Sequence, residues 1–424
     1  MDGKAETELS LAPEMEKKTI TDYLWAAIPV YRFTGLIVYK IPTKTLSHYQ
    51  TCWIGFSIWL ILLLMQSAGF CCLLLSFRLL KDKFNDVSTS FFAFTIIMGF
   101  ALFIRVYLFL KRKRTHDLIL MLNKIAIVEE EGRQWASTMR NTLLLTVIFS
   151  LGHGLYAVFV HYFSMLFCTQ NCIGETAAER VFMMLLDVTY CPQIMLCCSF
   201  FYTGIEYVAS LFDKFLTDFR ASTTDASSFA RNWITFKELV AVVRVLDDLA
   251  APLLFVSMFV ASWSICLSLF FFITGDTVEA GLFGEYLNQK KFLYVFFGIR
   301  MAENTLLVAV ILYCALGAIR LNEKSRQVKT ILTDTNWDVN TAGTSFLTQF
   351  HQFLRKVEDE SWGLTAGHLF LIRKKNLITV ASGVFTLLVM WIRFNFSDQI
   401  LKRKQCFCPC GINGSLSTSE EIFY

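Results

Sequence analysis

Seven apolar stretches dominate this chain, at about 53–77, 90–110, 141–167, 181–212, 252–275, 292–319 and 377–396. Each is long enough to cross the hydrocarbon of a bilayer, for which roughly 20 residues suffice. The pattern constrains the fold more than any motif does, because backbone polar groups in lipid must find their partners within the same segment, and a helix provides them. The fold class it predicts is all-α, a polytopic membrane protein with seven transmembrane helices. Composition agrees: only 17% of the 424 residues are charged, against about a quarter in soluble domains, and mean hydropathy is +0.49. The first 52 residues carry charges of both signs and no short apolar core ending at small residues, so the first span is expected to serve as the targeting anchor.

Lysine and arginine mark the cytoplasmic side. The N-terminal tail and the second, fourth and sixth loops hold 27 of them; the other loops and the C-terminal tail hold 9. The cluster Lys111-Arg-Lys-Arg114 directly after the second span is the strongest single signal. The N-terminus is therefore predicted cytoplasmic and the C-terminus extracellular, the reverse of a G-protein-coupled receptor. Two features agree. Asn413-Gly-Ser415 is a glycosylation sequon in the tail placed outside, and Cys168, Cys172, Cys406, Cys408 and Cys410 fall in segments placed outside, where disulfides can form.

The expected organisation is a cytoplasmic tail over 1–52, a six-helix bundle over 53–319, a cytoplasmic anchor region over 320–376, a seventh membrane helix over 377–396 and an extracellular tail over 397–424. There is no internal repeat and no separable soluble domain. Within the anchor region Phe346, Leu347, Phe350, Phe353, Leu354 and Val357 share one helical face, with Thr344 or Ser345 available as N-cap. The stretch 118–135 reads similarly. Both fit helices that continue the bundle into the cytoplasm, and equally amphipathic helices lying on the inner leaflet.

Ionisable groups in hydrocarbon are costly and point to function. Arg105 and Glu206 lie near cytoplasmic ends of spans, where snorkelling to the interface is expected. The outer halves hold His153, Tyr156 and His161 in span three, Asp187 and Tyr190 in span four, and Arg300, Glu303 and Asn304 in span six. These groups could converge on a cavity open to the outside that binds a small molecule, or satisfy one another as Asp187–Arg300 or Arg300–Glu303 pairs. Pro192 in span four is expected to kink its helix and open room. No phosphate loop, metal-binding histidine pair or Ser/His/Asp set is found, so neither an enzyme nor a cofactor is expected.

The last sixty residues carry a resemblance. Thr386 and Phe394 match the ends of a Thr-Tyr, five residues, Gln-Phe signature, with Leu387 in place of Tyr and Arg393 in place of Gln; Gly367-His-Leu-Phe-Leu-Ile-Arg373 and Leu377 look like its lead-in. With the seven-span inverted architecture, the chain resembles the insect chemoreceptor superfamily and its gustatory receptor branch. The resemblance implies a tetrameric ligand-gated cation channel in the plasma membrane of a sensory neuron dendrite. Its first six helices would form an outward-facing ligand pocket and the helix at about 344–373 would anchor the tetramer. Thr386, Leu387, Met390 and Arg393 would lie at the pore or its packing shell, with Phe394 behind. A ring of four arginines would repel cations, which favours a mixed assembly with related subunits; the departures from the signature lean towards the carbon-dioxide receptor branch. The lipid bilayer and a small molecule are the other expected partners, and nucleic acid is not. The alternatives are a metabotropic seven-helix receptor, set apart by an outside N-terminus, and a small-solute transporter, set apart by uptake without conductance.

Overall fold

The computed structural model describes residues 27–42, 48–79, 88–125, 129–167, 177–221, 226–274, 290–334, 344–359 and 362–406. Every apolar stretch becomes the body of one long helix. These are α2 (Trp53–Leu79), α3 (Ser88–Leu110), α5 (Glu129–Phe167), α6 (Ala177–Ala221), α7 (Ala226–Thr274), α8 (Lys290–Asp334) and α10 (Lys374–Cys406). Short helices α1 (Ile28–Phe33), α4 (Arg112–Lys124) and α9 (Thr344–Glu358) and a two-stranded hairpin, β1 (Thr365–Ala366) and β2 (Phe370–Leu371), complete the described residues. The chain divides into two compact units, Met1–Ile378 and Thr379–Tyr424.

Within the first unit α6 is the central helix, packing along α5 and α8, while α7 lies against α8 and α6 and α2 pairs with α3. One side of α6 is buried all the way from Ile194 to Phe219, with Ile194, Ile205, Val208 and Phe212 fully enclosed, while Ser210, Asp213, Thr217 and Asp218 are exposed. The outer helices behave oppositely. Leu60, Ile61, Leu64 and Leu75 of α2 and Leu144, Leu145, Ile148, Leu151 and Leu155 of α5 point outward, a surface that water penalises and lipid does not. By length and hydropathy, Trp53–Cys72 and Val188–Ala221 qualify as membrane-crossing among the described residues, with a shorter apolar run at Thr95–Leu110. α6, α7 and α8 have 45, 49 and 45 residues, more than twice what a bilayer requires, so each runs well past its apolar stretch.

Those extensions are packed. Of the predicted apolar face of α9, Phe346, Phe353 and Val357 are buried, Phe350 and Leu354 half-buried and Leu347 exposed, with Phe353 wholly enclosed among Phe219, Phe229, Trp233 and Phe236 at ring separations of 4.8–5.9 Å. An amphipathic helix lying on a leaflet would leave that face to lipid, and α9 does not. The stretch 118–135 differs from expectation: it divides between α4 and α5, because the backbone turns to an extended conformation at Ile125.

Residues 27–42 and 48–52 are docked, where a tail was expected from the sequence. Tyr31, Val38, Tyr39 and Ile41 are buried, and Tyr39 bridges Thr51. Tyr39 and Tyr49 hold the buried His116 of α4 edge-on, with ring centroids 5.8 and 5.7 Å away. The imidazole Nε2 and both phenol oxygens are buried without hydrogen-bond partners among the described residues.

The hairpin is the second departure, since the run from Ala366 reads in sequence as an early part of the last helix. Thr365 pairs with Leu371 and Ala366 with Phe370, and the turn uses positive φ at Gly367 (61°) and His368 (59°). A side chain at Gly367 would also meet Phe255 of α7 at 3.1 Å. Two residues per strand cannot hold a sheet alone. Asn322 of α8 supplies the rest: its Nδ2 donates to the carbonyls of Leu364 and Ile372 at 2.9 Å each, and its Oδ1 accepts from the Leu364 N–H at 2.7 Å.

Asn322→Ala strands the Leu364 N–H and the Ile372 carbonyl, while the Leu364 carbonyl keeps the Ile372 N–H at 3.0 Å; the change should destabilise the protein by about 2–4 kcal/mol, read as a lower melting temperature in detergent. Lys329→Ala, which removes only the exposed pair with Glu358, should cost under about 1 kcal/mol. Burial pushes the His116 pKa below its ordinary value, with neighbouring Asp117 opposing. His116 therefore binds the proton more readily when the N-terminal segment is undocked, so docking is favoured at neutral pH and weakens as pH falls below about 6.5. Proteolysis within residues 27–52 should be faster at pH 5.5 than at pH 7.5, and His116→Phe should remove the difference.

Candidate functional site

Three of the long helices carry the residues singled out for ligand binding, and α6 packs against the other two. His153 of α5 and Tyr190 of α6 are both buried, and their rings meet edge to face at 5.6 Å. That is an aromatic contact with two polar edges. Tyr156 lies one turn beyond His153 on α5, Asp187 one turn before Tyr190 on α6, and Arg300, Glu303 and Asn304 on the third and fourth turns of α8. The side chains of these five, and of His161 near the end of α5, lie outside the described residues, as do Asn413 and Cys168, Cys172, Cys408 and Cys410. The α6 helix continues through Pro192.

The residue after that proline is the one the sequence reading passed over. Gln193 is fully buried and faces Arg105 of α3, which is itself only 3% exposed. Arg105 does not snorkel. Its Nε donates to Gln66 Oε1 at 3.0 Å, one Nη to Gln193 Oε1 and the other to the Thr34 carbonyl at 3.3 Å. Gln66 Nε2 also donates to Gln193 Oε1 at 2.8 Å, and Gln193 Nε2 donates to the Ala101 carbonyl at 2.7 Å. The guanidinium thus finds oxygen on α2, α6 and the N-terminal segment, which is why it turns inward. Gly35 permits the approach: φ is 71° there, and a Cβ would lie 2.9 Å from an Arg105 Nη. Three polar residues in three spans were the available signal, since polar groups in apolar helices tend to find one another. Glu206, the other residue expected to snorkel, instead accepts from Arg320 of α8 at 2.9 and 3.0 Å.

A second cluster holds the base of α10. Asp247 of α7 accepts from the Thr365 N–H at 2.6 Å and from Thr365 Oγ1 at 2.9 Å, with His368 Nδ1 at 3.3 Å. The Gly367 N–H donates to the Ala251 carbonyl at 2.9 Å. Burial raises the Asp247 pKa, opposed by the Thr365 hydrogen bonds and by His368. The hairpin is therefore clamped by α7 on one side and by Asn322 of α8 on the other, three residues before α10 begins.

In the second unit, α10 continues ten residues past the predicted span end at 396, to Cys406, so Cys406 lies on a helix. Thr386, Leu387, Met390 and Arg393 are exposed, and Thr386 Oγ1 donates to the Ser382 carbonyl at 2.9 Å. Phe394 is on the same helix, its side chain outside the described residues.

No protein-family model and no curated protein sequence matches the chain. Among solved structures it is similar to the insect olfactory receptor OR5 from Machilis hrabei in complex with eugenol. The two share 10% identity over 88% of this chain and 98% of that one, with a TM-score of 0.65. A second structure of the same receptor gives 12% identity, coverage of 88% and 100%, and a TM-score of 0.58. The chain has the fold of an insect olfactory receptor.

Gln193→Leu should be among the most damaging single changes. It removes one Arg105 acceptor, the Gln66 partner and the donor to Ala101, and leaves a buried cation short of compensation, at a cost of about 3–5 kcal/mol. Replacing the set together (Arg105→Met, Gln66→Leu and Gln193→Leu) removes the charge with its partners and should recover much of that loss. Melting temperature and the yield of monodisperse protein in detergent measure both.

Proposed function

We propose that this chain is a chemosensory subunit of a ligand-gated ion channel, a gustatory receptor-like member of the insect chemoreceptor superfamily. The observation that carries the reading is the shared fold: nearly nine-tenths of the chain aligns with a receptor structure holding eugenol, a small aromatic molecule. The two matching positions of the seventh-span signature, Thr386 and Phe394, support the same reading from sequence.

The ligand binds in the outer half of α5, α6 and α8, with His153 and Tyr190 as its aromatic wall and Tyr156, His161, Asp187, Arg300, Glu303 and Asn304 as further contacts. It is carbon dioxide or another tastant-sized molecule. α8 links that region to the gate. Asn304 and Asn322 are eighteen residues apart on one unbroken helix, about 27 Å, and Asn322 grips the hairpin that starts α10. A shift of α8 on binding is thereby delivered to the first turn of the pore helix. The protein is a multi-pass plasma-membrane protein with the N-terminus inside, the C-terminal tail outside and glycosylated at Asn413. It works as a tetramer, with related subunits because of Arg393.

Whole-cell recording tests this, with the chain expressed alone and with related subunits under sugars, bitter compounds and carbon dioxide. Ligand-gated current is expected in mixed assemblies and not from the chain alone. An epitope at the N-terminus that stains on intact cells, or ligand-driven solute uptake with no current in any combination, would sink the proposal.

A further inference from the structure

The charge at the junction of the N-terminal segment, the start of α2 and the end of α3 is all of one sign. Residues 27–42, 48–60 and 100–116 hold Arg32, Lys40, Arg105 and Lys111–Arg114, and no Asp or Glu. The three segments touch: Arg105 donates to the Thr34 carbonyl, and Trp59 Nε1 donates to the Arg105 carbonyl. Arg105 is satisfied inside the bundle. Lys111–Arg114, directly after α3, are not. Lys111 and Arg112 are half-buried and Lys113 and Arg114 exposed. Among the described residues none of the four pairs with a carboxylate. Asp117, the nearest acid in sequence, lies instead 3.9 Å from His116 Nδ1.

The cations stand on an aromatic layer. One Nη of Arg112 donates to the Phe109 carbonyl at 2.8 Å, and its guanidinium carbon lies 4.1 Å from the centre of the Phe109 ring. Phe109 stacks on Trp59 at 4.0 Å, and the layer continues through Phe56 to Trp53. Phe33 and Trp53, from the two neighbouring segments, are 77 and 76% exposed. Aromatic side chains at the end of a membrane helix sit at headgroup level, and a basic cluster just beyond them meets lipid phosphate. Marking the cytoplasmic side requires the cations alone. It requires neither acid-free neighbours nor an arginine held in place. Arginine takes phosphate oxygens two at a time, and four adjacent cations without an acid outmatch the single phosphate of an ordinary phospholipid.

We infer that Lys111–Arg114, with Phe33 and Trp53, form a docking surface for a polyphosphoinositide, a lipid whose headgroup carries additional phosphate monoesters. The phosphates meet the four cations and the acyl chains meet the two exposed rings. The inference rests on the membrane reading above, with this face at the inner leaflet, and adds a specific lipid partner to it.

Binding to the purified full chain in a neutral detergent tests it, with a fluorescent short-chain phosphatidylinositol bisphosphate as probe and anisotropy as the readout. Saturable binding is expected. Lys113→Gln and Arg114→Gln together should weaken it about tenfold or more, while Lys329→Gln, at an exposed cation elsewhere, should leave it unchanged. Lys113→Arg keeps the charge and should bind as the unaltered chain does. Short-chain phosphatidylserine should displace the probe at least about tenfold less well, having fewer negative charges. Free inositol trisphosphate should also fall short by about that factor, because it lacks the chains that cover Phe33 and Trp53. Binding indifferent to the double change, or equal displacement by phosphatidylserine, would overturn the inference. Equal displacement by the trisphosphate would assign the cations to a soluble anion and overturn lipid docking. The measurement needs no current, so failure of the channel reading leaves it standing. An N-terminal epitope outside intact cells would defeat the orientation, whereas lost binding with that epitope inside would defeat the inference alone.

Discussion

Arg105 is a full charge at 3% exposure, and its surroundings make that possible. A buried guanidinium in an apolar bundle costs several kcal/mol unless its N–H groups are met. Here they are met by two glutamine side chains and a backbone carbonyl drawn from α2, α6 and the N-terminal segment. The partners are in turn held: Gln193 reaches back to the Ala101 carbonyl on Arg105's own helix, and Trp59 Nε1 donates to the Arg105 carbonyl at 3.2 Å. Removing any one member exposes the others to an environment with no water to replace it. The position of α2 and α3 against the central helix, and the docking of residues 27–42, follow from that closed set more than from apolar packing, which is non-directional.

The same economy of hydrogen bonds explains the other end of the bundle. Pro252 sits inside α7 and has no N–H to give the carbonyl of Asp248, one turn earlier. The Tyr107 hydroxyl takes that role at 2.9 Å, tying α3 to α7. One turn from this defect, Asp247 and Ala251 receive the hairpin. A helix interruption that would destabilise an isolated segment has become the place where α3, α7 and the start of α10 meet.

The seven long helices were legible because their signal is local: an apolar run of sufficient length needs no partner to be recognised. The face of α9 was legible for the same reason, through the spacing of Phe346, Phe350, Phe353 and Val357. The hairpin was not, because Thr365–Leu371 is set by Asn322 and Asp247, 42 to 118 residues away in sequence. Depth along a span placed Arg105 near an interface, and only the partners Gln66 and Gln193 reveal that it turns inward. Of the candidate ligand residues, His153 and Tyr190 could be paired through helix adjacency. The charged ones depend on side-chain positions that pattern alone does not fix.

The anchoring of α10 bears on how a conformational change could reach it. A helix anchored only by apolar contacts would slide or rotate at little cost, since such contacts are interchangeable. α10 begins three residues after a hairpin fixed by directed bonds to two different helices, α7 and α8. Its first turn adds an exposed pair between Lys374 and Glu323 at 3.0 Å. Directed bonds have few acceptable geometries, so a displacement of α8 relative to α7 must either break the Asn322 set or carry the hairpin with it. Breaking it leaves the buried Ile372 carbonyl and Leu364 N–H without partners, at roughly 1–3 kcal/mol each, so carrying the hairpin is the cheaper course.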